Sequence, residues 1–209
     1  MNVVETLTHY VKKLFASDAT GHDFYHTLRV YRMAMKIAEE ETCDKEIILF
    51  ASLLHDVDDP KLFHTENYLN ARNAIRQCGL SIEKERRIIH AIQEVSFRAS
   101  DSVIPSSIEG KIVQDADRLD AIGAIGIARA FAYGGAKNRK MYDPIEKPLL
   151  NMDEKTYRSH QGSTINHFYE KLLLIPSMLN TEKAKKIAQG RMLFMKQFLD
   201  EFYAEWEEK

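Results

Sequence analysis

The sequence predicts an all-α protein with a single domain. Apolar residues recur at the spacing of amphipathic helices along most of the 209 residues. Glycine and proline residues separate these stretches, as expected at the ends of helices. A chain of this length, with 44% hydrophobic and 29% charged residues, can bury roughly 70% of its unfolded surface in one core. We find no internal repeat, low-complexity tract or domain linker in the sequence.

The first two predicted helices cover residues 23–41 and 44–56. In the first, Asp23 is a suitable N-cap and His26 lies on an apolar flank beside the main apolar stripe. The stripe consists of Phe24, Leu28, Tyr31, Met35 and Ala38, and the flank of Val30, Met33 and Ile37. Residues 44–56 are apolar on nearly every side, which predicts a central helix. The Asp58-Asp59-Pro60 cluster ends it.

The rest of the chain divides into helices and one basic loop. Amphipathic helices are predicted over residues 65–77 and 81–95, followed by a helix rich in small residues over 110–133, then by 163–174 and 181–206. Residues 135–161 have no sustained period and carry many lysines and arginines, which is typical of a lid or a disordered loop. We therefore expect one domain, 1–209. Within it lie a core of about 21–133, a basic loop or lid of about 135–161, and C-terminal helices over 163–208.

Composition excludes several classes of function. The 29 basic and 31 acidic residues give a net charge of -2, so no basic field is available for extended nucleic acid or an acidic membrane surface. The longest apolar run, Ile47 to Leu54, is far shorter than the roughly 20 residues that span a bilayer. Cys43 and Cys78 are too few for a disulfide framework, and the N-terminus lacks the pattern of a signal peptide. We expect a cytoplasmic protein.

Four polar residues stand in otherwise apolar surroundings. The central helix ends in "LLHDVDDP", which contains His55 and Asp56, while His26 lies on the flank of its helix and Asp117 in "VQDADRLDAIG". Any one of them alone would more often be a hydrogen-bonded core residue. Together they supply two imidazoles and two carboxylates, whose charge matches a divalent ion. This donor set suits a six-coordinate ion such as Mn²⁺, or iron, better than a thiolate zinc site.

The order of these residues resembles the H...HD...D signature of the HD superfamily of metal-dependent phosphohydrolases. The stretches "GHDFYHTLRV", "LLHDVDDPK", "DADRLDAIGAIGIAR" and "NHFYEKLL" are similar to its bacterial branch of small nucleotide pyrophosphohydrolases. The likeness runs from Gly21 to the C-terminal helix and implies an HD-type helical bundle. Many relatives have a histidine in the segment that reads "AIQEVSFR" here, where Val95 stands, so an auxiliary contact is expected to be missing.

The resemblance implies hydrolysis of nucleoside triphosphates to a monophosphate and pyrophosphate. The partner is a small phosphorylated molecule, and the cofactor is a divalent ion, Mn²⁺ first, with Mg, Ni, Co, Zn or Fe as alternatives. Asp59 is expected to orient the nucleophile or act as general base, with Asp58 as the alternative; an ordinary Asp-Pro turn is an equal explanation for Asp59. Candidate phosphate ligands, each of which also has an ordinary surface or packing explanation, are Lys61, Arg118, Lys171, Arg191 and His22.

Other functions use the same residues. A nucleotide phosphomonoesterase or phosphodiesterase would need the same four metal ligands. A di-iron oxygenase would need two more, for which His22 and His90 are the candidates, and a nucleotide sensor would bind without turnover. Near the site, Asp120 shares a helix face with Asp117 and is expected to support it, whereas Asp115 is expected at the surface.

Overall fold

The computed structural model describes residues 2–15, 24–60, 62–96 and 101–208. Within these ranges the chain forms helices and turns and no β-strand, which confirms the all-α prediction. No helix in the described ranges is both long and apolar enough to cross a membrane. The helices are α1 Val3–Leu14, α2 Phe24–Ile37, α3 Lys45–Leu54, α4 Leu69–Gln77, α5 Ile82–Gln93, α6 Ile108–Asp120, α7 Gly123–Ala136, α8 Glu154–Ser159, α9 Thr164–Glu170 and α10 Glu182–Trp206, with short 3₁₀ helices at Ala38–Glu40 and Leu172–Met178.

Side-chain N-caps fix where many of these helices begin. An N-cap side chain accepts hydrogen bonds from backbone N–H groups that have no partner within the first turn. At the N-terminus of α1 this becomes a complete capping box, since Glu5 also accepts from the Asn2 backbone. The caps are Asn2 for α1, Asp44 for α3, Ser81 for α5, Asp153 for α8, Ser163 for α9 and Thr181 for α10.

The described residues of Met1–Phe97 and Ser102–Asp117 form one compact unit, with α3 at its centre. This helix packs against α1, α2 and α5. It is buried on nearly every side, as predicted, and Ile48, Phe50 and Leu53 are fully inaccessible to solvent. The end of a helix this deeply buried is a rigid base for the residues that follow it.

Helix α2 turns the flank beside its apolar stripe to the core. On this flank His26, Val30 and Ile37 are fully buried and Met33 is partly exposed. In the stripe Ala38 is buried, while Phe24 and Tyr31 keep part of their surface exposed. Helix α2 packs against α3. His26 therefore lies inside the protein.

The described residues of Arg98–Asp101 and Arg118–Lys209 form a second compact unit. Within it α7 packs against α9 and α10. A side chain on Gly134 would put its Cβ 2.3 Å from the hydroxyl of Thr164, so α7 approaches the start of α9 closely at this glycine. Phe168 is fully buried, and its ring stacks on that of Phe198.

The single helix predicted over residues 110–133 is in fact two helices, α6 and α7. The chain turns at Ala121 and Ile122, and Gly123 adopts a positive φ of 80° that favours glycine. A Cβ on Gly126 would lie 2.2 Å from the carbonyl oxygen of Ala121, so the corner also requires a glycine there. Small residues continue through the corner, which explains why the sequence pattern hides it.

The basic segment of residues 135–161 is bound to the start of α9. Backbone N–H groups of Thr164 and Ile165 donate to the carbonyls of Lys140 and Met141, and that of Ser163 donates to Glu146. The segment also contains the short helix α8, which the sequence did not predict. Its function as a lid stays a prediction, as do the single-domain boundaries.

Candidate metal centre

The four predicted metal ligands lie together in the first compact unit. His26 stands in the first turn of α2, His55 and Asp56 follow the end of α3, and Asp117 stands in the last turn of α6. The imidazole side chains are 0% and 2% exposed, whereas the carboxylates are 13% and 25% exposed. The site is therefore closed on the imidazole side and open on the carboxylate side. Among the described residues, the carboxylates are therefore the more accessible part of the site.

The distances between donor atoms match a site for one metal ion. Asp56 Oδ2 lies 3.4 Å from His26 Nε2 and 3.3 Å from His55 Nε2, and Asp117 Oδ1 lies 3.4 Å and 3.8 Å from the same atoms. Ligand atoms of His26, His55 and Asp117 all lie within 4.8 Å of one another. Ligands about 2.1 Å from an octahedral ion would be about 3.0 Å apart in cis and about 4.2 Å apart in trans. The four distances, from 3.3 to 3.8 Å, lie between these two values.

The backbone orients the ring of His55. The carbonyl oxygen of Ser52 lies 2.9 Å from Nδ1 of His55, and because a carbonyl only accepts, Nδ1 carries a proton and donates. The neutral ring therefore turns its Nε2 lone pair into the site. That atom is buried and lies 3.3 Å from a carboxylate oxygen of Asp56. A buried imidazole nitrogen that faces two carboxylates needs a proton or a metal cation between them, and a divalent ion fits the residues present.

The charges of the site shift the pKa values of His55 and Asp117. Burial lowers the pKa of His55, but the carboxylates of Asp56 and Asp117 outweigh burial and hold that pKa above its ordinary value. For Asp117, burial raises the pKa, but the imidazoles of His26 and His55 outweigh it and hold the carboxyl pKa below its ordinary range. The carboxyl of Asp117 therefore favours its charged form, which is the form that binds a cation.

Buried contacts hold α6 in place below the site. Gln114, one turn before Asp117, is fully buried and donates to the carbonyls of Glu94 and Val103 at 2.8 Å and 3.0 Å. Asp115 is also fully buried, so its prediction as a surface residue is wrong. The helix is enclosed on more sides than its sequence pattern indicates, because the end of α5 and the segment before α6 cover a second face.

The turn after the HD pair gives its two aspartates different surroundings. Asp59 is half-buried, its N–H donates to the Asp56 carbonyl at 3.1 Å, and its own carbonyl accepts from two N–H groups further along. The carboxylate of Asp58 accepts hydrogen bonds from Thr65, Asn70 and Ala71. This engagement of Asp58 disfavours it as the alternative general base. Asp59 stays the predicted one.

The remaining candidate residues contact the protein or lie outside the described ranges. In the second unit, Arg118 is buried and donates to the Met178 carbonyl, and Arg191 donates to the Leu119 carbonyl. Burial also lowers the pKa of Arg191. Each arginine thus has a packing role, and their binding of phosphate stays a prediction, as does that of Lys171. His22 and Lys61 lie outside the described residues.

Three further candidates, Lys171, Asp120 and His90, also have local partners. Lys171 places its ammonium 5.6 Å from the centre of the Tyr157 ring. Asp120 accepts from Arg129 at 2.8 Å in the second unit. His90 is exposed and its Nε2 lies 2.7 Å from the hydroxyl of Ser106, so this contact explains it without a second metal ion.

Comparison with known proteins agrees with this geometry. The family model described as HD domain matches residues 23–122, a range that contains all four candidate ligands. The uncharacterized protein YpgQ of Bacillus subtilis is 40% identical over 200 residues, which cover 93% of this chain and 89% of YpgQ.

Solved structures extend the likeness to the whole fold. A crystal structure of a Lactobacillus plantarum protein is 37% identical, with a TM-score of 0.84 and coverage of 99% of this chain and 98% of that one. An HD-superfamily hydrolase from Bacillus thuringiensis is 40% identical, with a TM-score of 0.77 and coverage of 99% and 97%. The structure of Bacillus subtilis YpgQ in complex with ADP is 36% identical, with a TM-score of 0.77 and coverage of 97% of both chains.

Proposed function

The chain belongs to the HD domain family of hydrolases, and on that basis we propose that it hydrolyses nucleoside triphosphates to a monophosphate and pyrophosphate. The divalent metal ion that the reaction needs would be held by His26, His55, Asp56 and Asp117. The observation that supports this most strongly is the buried Nε2 lone pair of His55, directed at two carboxylates at 3.3 Å and 3.8 Å. The ADP complex of the related YpgQ supports a nucleotide as the ligand.

The metal ligands, Asp59 and the cationic residues have different roles in the proposed reaction. A bound divalent ion supplies Lewis acidity, which acidifies water and withdraws charge from a phosphoryl group. The buried imidazoles exclude bulk water from one side of the site, and the more exposed Asp56 and Asp117 face the side from which substrate enters. Asp59 orients the attacking water and accepts its proton on the carboxylate. Lys61, Lys171, Arg118, Arg191 and His22 are the proposed phosphate ligands.

We infer manganese as the native ion, because imidazole and carboxylate ligands without thiolate suit it. Mg, Ni, Co, Zn and Fe are the alternatives that the same ligands accept. Both cysteines are free thiols, which supports a reducing compartment, and we propose the cytoplasm.

Product analysis tests the function. Protein loaded with Mn²⁺ is incubated with a panel of nucleoside triphosphates, diphosphates and monophosphates, and released pyrophosphate and orthophosphate are measured separately. We expect pyrophosphate and a monophosphate from triphosphates. Release of orthophosphate alone would indicate a phosphomonoesterase, and loss of a cyclic nucleotide would indicate a phosphodiesterase. Tight nucleotide binding without any turnover would identify a sensor and contradict the proposal.

Two variants separate metal binding from proton transfer. Asp56→Ala should lose both metal and turnover. Asp59→Asn should keep its metal content while kcat falls by about 10²- to 10⁴-fold, the usual contribution of a general base. Replacement of the exposed His90 by alanine is the matched control and should change neither quantity. Loss of metal from the Asp59 variant would instead make Asp59 a ligand.

A further inference from the structure

We propose that Asp58 is a positioning residue for the metal centre, although its side chain accepts hydrogen bonds from Thr65, Asn70 and Ala71 and not from a predicted ligand. It would act through the HD turn, residues 55–59, which carries His55 and Asp56. The inference rests on the proposed metal site. It assigns to Asp58 a function different from the general base expected from its place in the sequence.

The carboxylate of Asp58 is bound by three donors from a distant part of the chain. Its Oδ1 accepts from the hydroxyl of Thr65 at 2.6 Å and from the backbone N–H of Asn70 at 3.0 Å. Its Oδ2 accepts from the N–H of Ala71 at 2.9 Å. Hydrogen bonds to a charged acceptor are roughly twice as strong as those between neutral groups. The side chain of Asp58 is therefore fixed at both oxygens.

These bonds also complete the start of α4. The residue before this helix, Tyr68, has a positive φ of 57° and its side chain makes no capping hydrogen bond. Asp58 takes that role from outside the helix, because Asn70 and Ala71 stand in its first turn. A carboxylate at this end of a helix is also favoured by the helix dipole. The first turn of α4 and the HD turn are thus joined through one side chain.

Asn70 also donates a side-chain hydrogen bond to the HD turn. Its side-chain amide donates to the carbonyl of Val57 at 2.7 Å, so the turn is bound at two successive residues. The hydroxyl of Tyr10 donates to the Asn70 carbonyl at 3.0 Å, so α1 also contacts the start of α4. All these residues belong to the first compact unit, as the four metal ligands do.

The HD turn needs such support because the helix has already ended. Helix α3 stops at Leu54, and two backbone hydrogen bonds follow in the turn, from the Val57 N–H to the Leu54 carbonyl at 3.4 Å and from the Asp59 N–H to the Asp56 carbonyl at 3.1 Å. The side-chain bonds of Asp58 and Asn70 add to these two in holding Asp56 at 3.3 Å and 3.4 Å from two imidazole nitrogens. Ligand positions that drift by less than an ångström weaken a metal site.

The test measures Mn²⁺ affinity by isothermal titration calorimetry, with no reliance on turnover. Asp58→Asn keeps the shape of the side chain but turns one acceptor oxygen into a donor, and we expect the Kd for Mn²⁺ to rise by about tenfold or more. Thr65→Val is nearly isosteric and removes only the 2.6 Å hydrogen bond, and we expect a rise of about threefold. Titrations are made where circular dichroism shows each variant fully folded.

The control is Ser81→Ala, which removes the N-cap of α5 in the same unit. It should lower Tm, as the Asp58 variant does, and leave the Kd for Mn²⁺ within about twofold of wild type. A purely structural Asp58 would behave like this control, and an unchanged Kd in Asp58→Asn would overturn the proposal. If that variant does not fold, the Thr65→Val titration decides in the same way. Wild-type protein that binds no Mn²⁺ would refute the metal site itself, which is a separate result.

Discussion

Mn²⁺ should stabilise the folded protein, and removal of Asp56 should abolish that effect. The ligands come from α2, the turn after α3, and α6, at positions 26, 55, 56 and 117 of the chain. An unfolded chain does not bring these positions together, so the ion binds the folded state. Binding to the folded state alone adds about 2.7 kcal/mol of stability at a free ion concentration of 100 times Kd.

The expected shift follows from the size of the chain. For a protein of 209 residues, 1 kcal/mol corresponds to about 2–4 °C in Tm. Saturating Mn²⁺ should therefore raise Tm by about 5–11 °C over the value in a chelator. The assay is thermal unfolding followed by circular dichroism, with and without the ion, for wild type, Asp56→Ala and the control His90→Ala.

Wild type and the His90 variant should show the full shift, and Asp56→Ala should show almost none. His90 is the control because it is an exposed histidine that contacts Ser106. A full shift in Asp56→Ala would mean that Mn²⁺ binds elsewhere and would refute the assignment of Asp56 as a ligand. An absent shift in wild type would refute the site as a whole.

Two further predictions concern the scaffold. Gly126→Ala should lower the free energy of unfolding by about 1–3 kcal/mol, because its Cβ would lie 2.2 Å from a backbone carbonyl. Gly135→Ala in the same helix meets no atom within 4 Å and should raise the free energy of unfolding by about 0.4–1 kcal/mol. Urea unfolding measures both variants, and equal effects would contradict the geometry of the corner. Hydrogen bonds from Arg76, then from Arg72, outweigh burial and hold the pKa of Glu85 below its ordinary value of 4.5. The charged Glu85 therefore stabilises the folded protein fully above pH 4.5, and this contribution is lost as the pH falls through the folded-state pKa. Glu85→Gln should therefore make stability fall less steeply below about pH 4.5 in urea titrations at several pH values, and an unchanged slope would contradict this reasoning.

The sequence predicted four candidate metal ligands because the chemistry of these residues can be recognised without coordinates, and the structure brings their side chains close together. A histidine or aspartate in apolar surroundings needs a polar or charged partner. Four such residues, in the order His26, His55, Asp56 and Asp117, indicate that one cation is the shared partner of all four. The central helix α3 was predicted for a similar reason, since an apolar surface on every side requires burial. Both predictions depend on local composition, and the structure confirms that α3 is central and buried.

Other features depend on which elements meet, and the sequence does not specify that. The sequence shows two apolar faces on α2, and packing against α3 decides which of them is more deeply buried. The corner at Gly123 interrupts a run of small residues without changing its pattern. Helix α8 has six residues, too few to show a period.

The contacts that orient the site are also absent from any motif. The Ser52 carbonyl that sets the tautomer of His55 is a backbone atom, and any residue at that position would supply it. The bonds from Asp58 to Asn70 and Ala71 link residues 12 and 13 positions apart through a turn that has no regular period. By contrast, α1 was missed although its capping box, Asn2 with Glu5, is visible in the sequence.

The metal centre is tested most directly by crystals of the protein grown with Mn²⁺ and measured for anomalous scattering. A single anomalous peak should appear about 2.0–2.2 Å from Nε2 of His26 and His55 and from one oxygen each of Asp56 and Asp117. A peak bound by other residues, or no peak among these four side chains at saturating Mn²⁺, would contradict the site and the hydrolytic function derived from it.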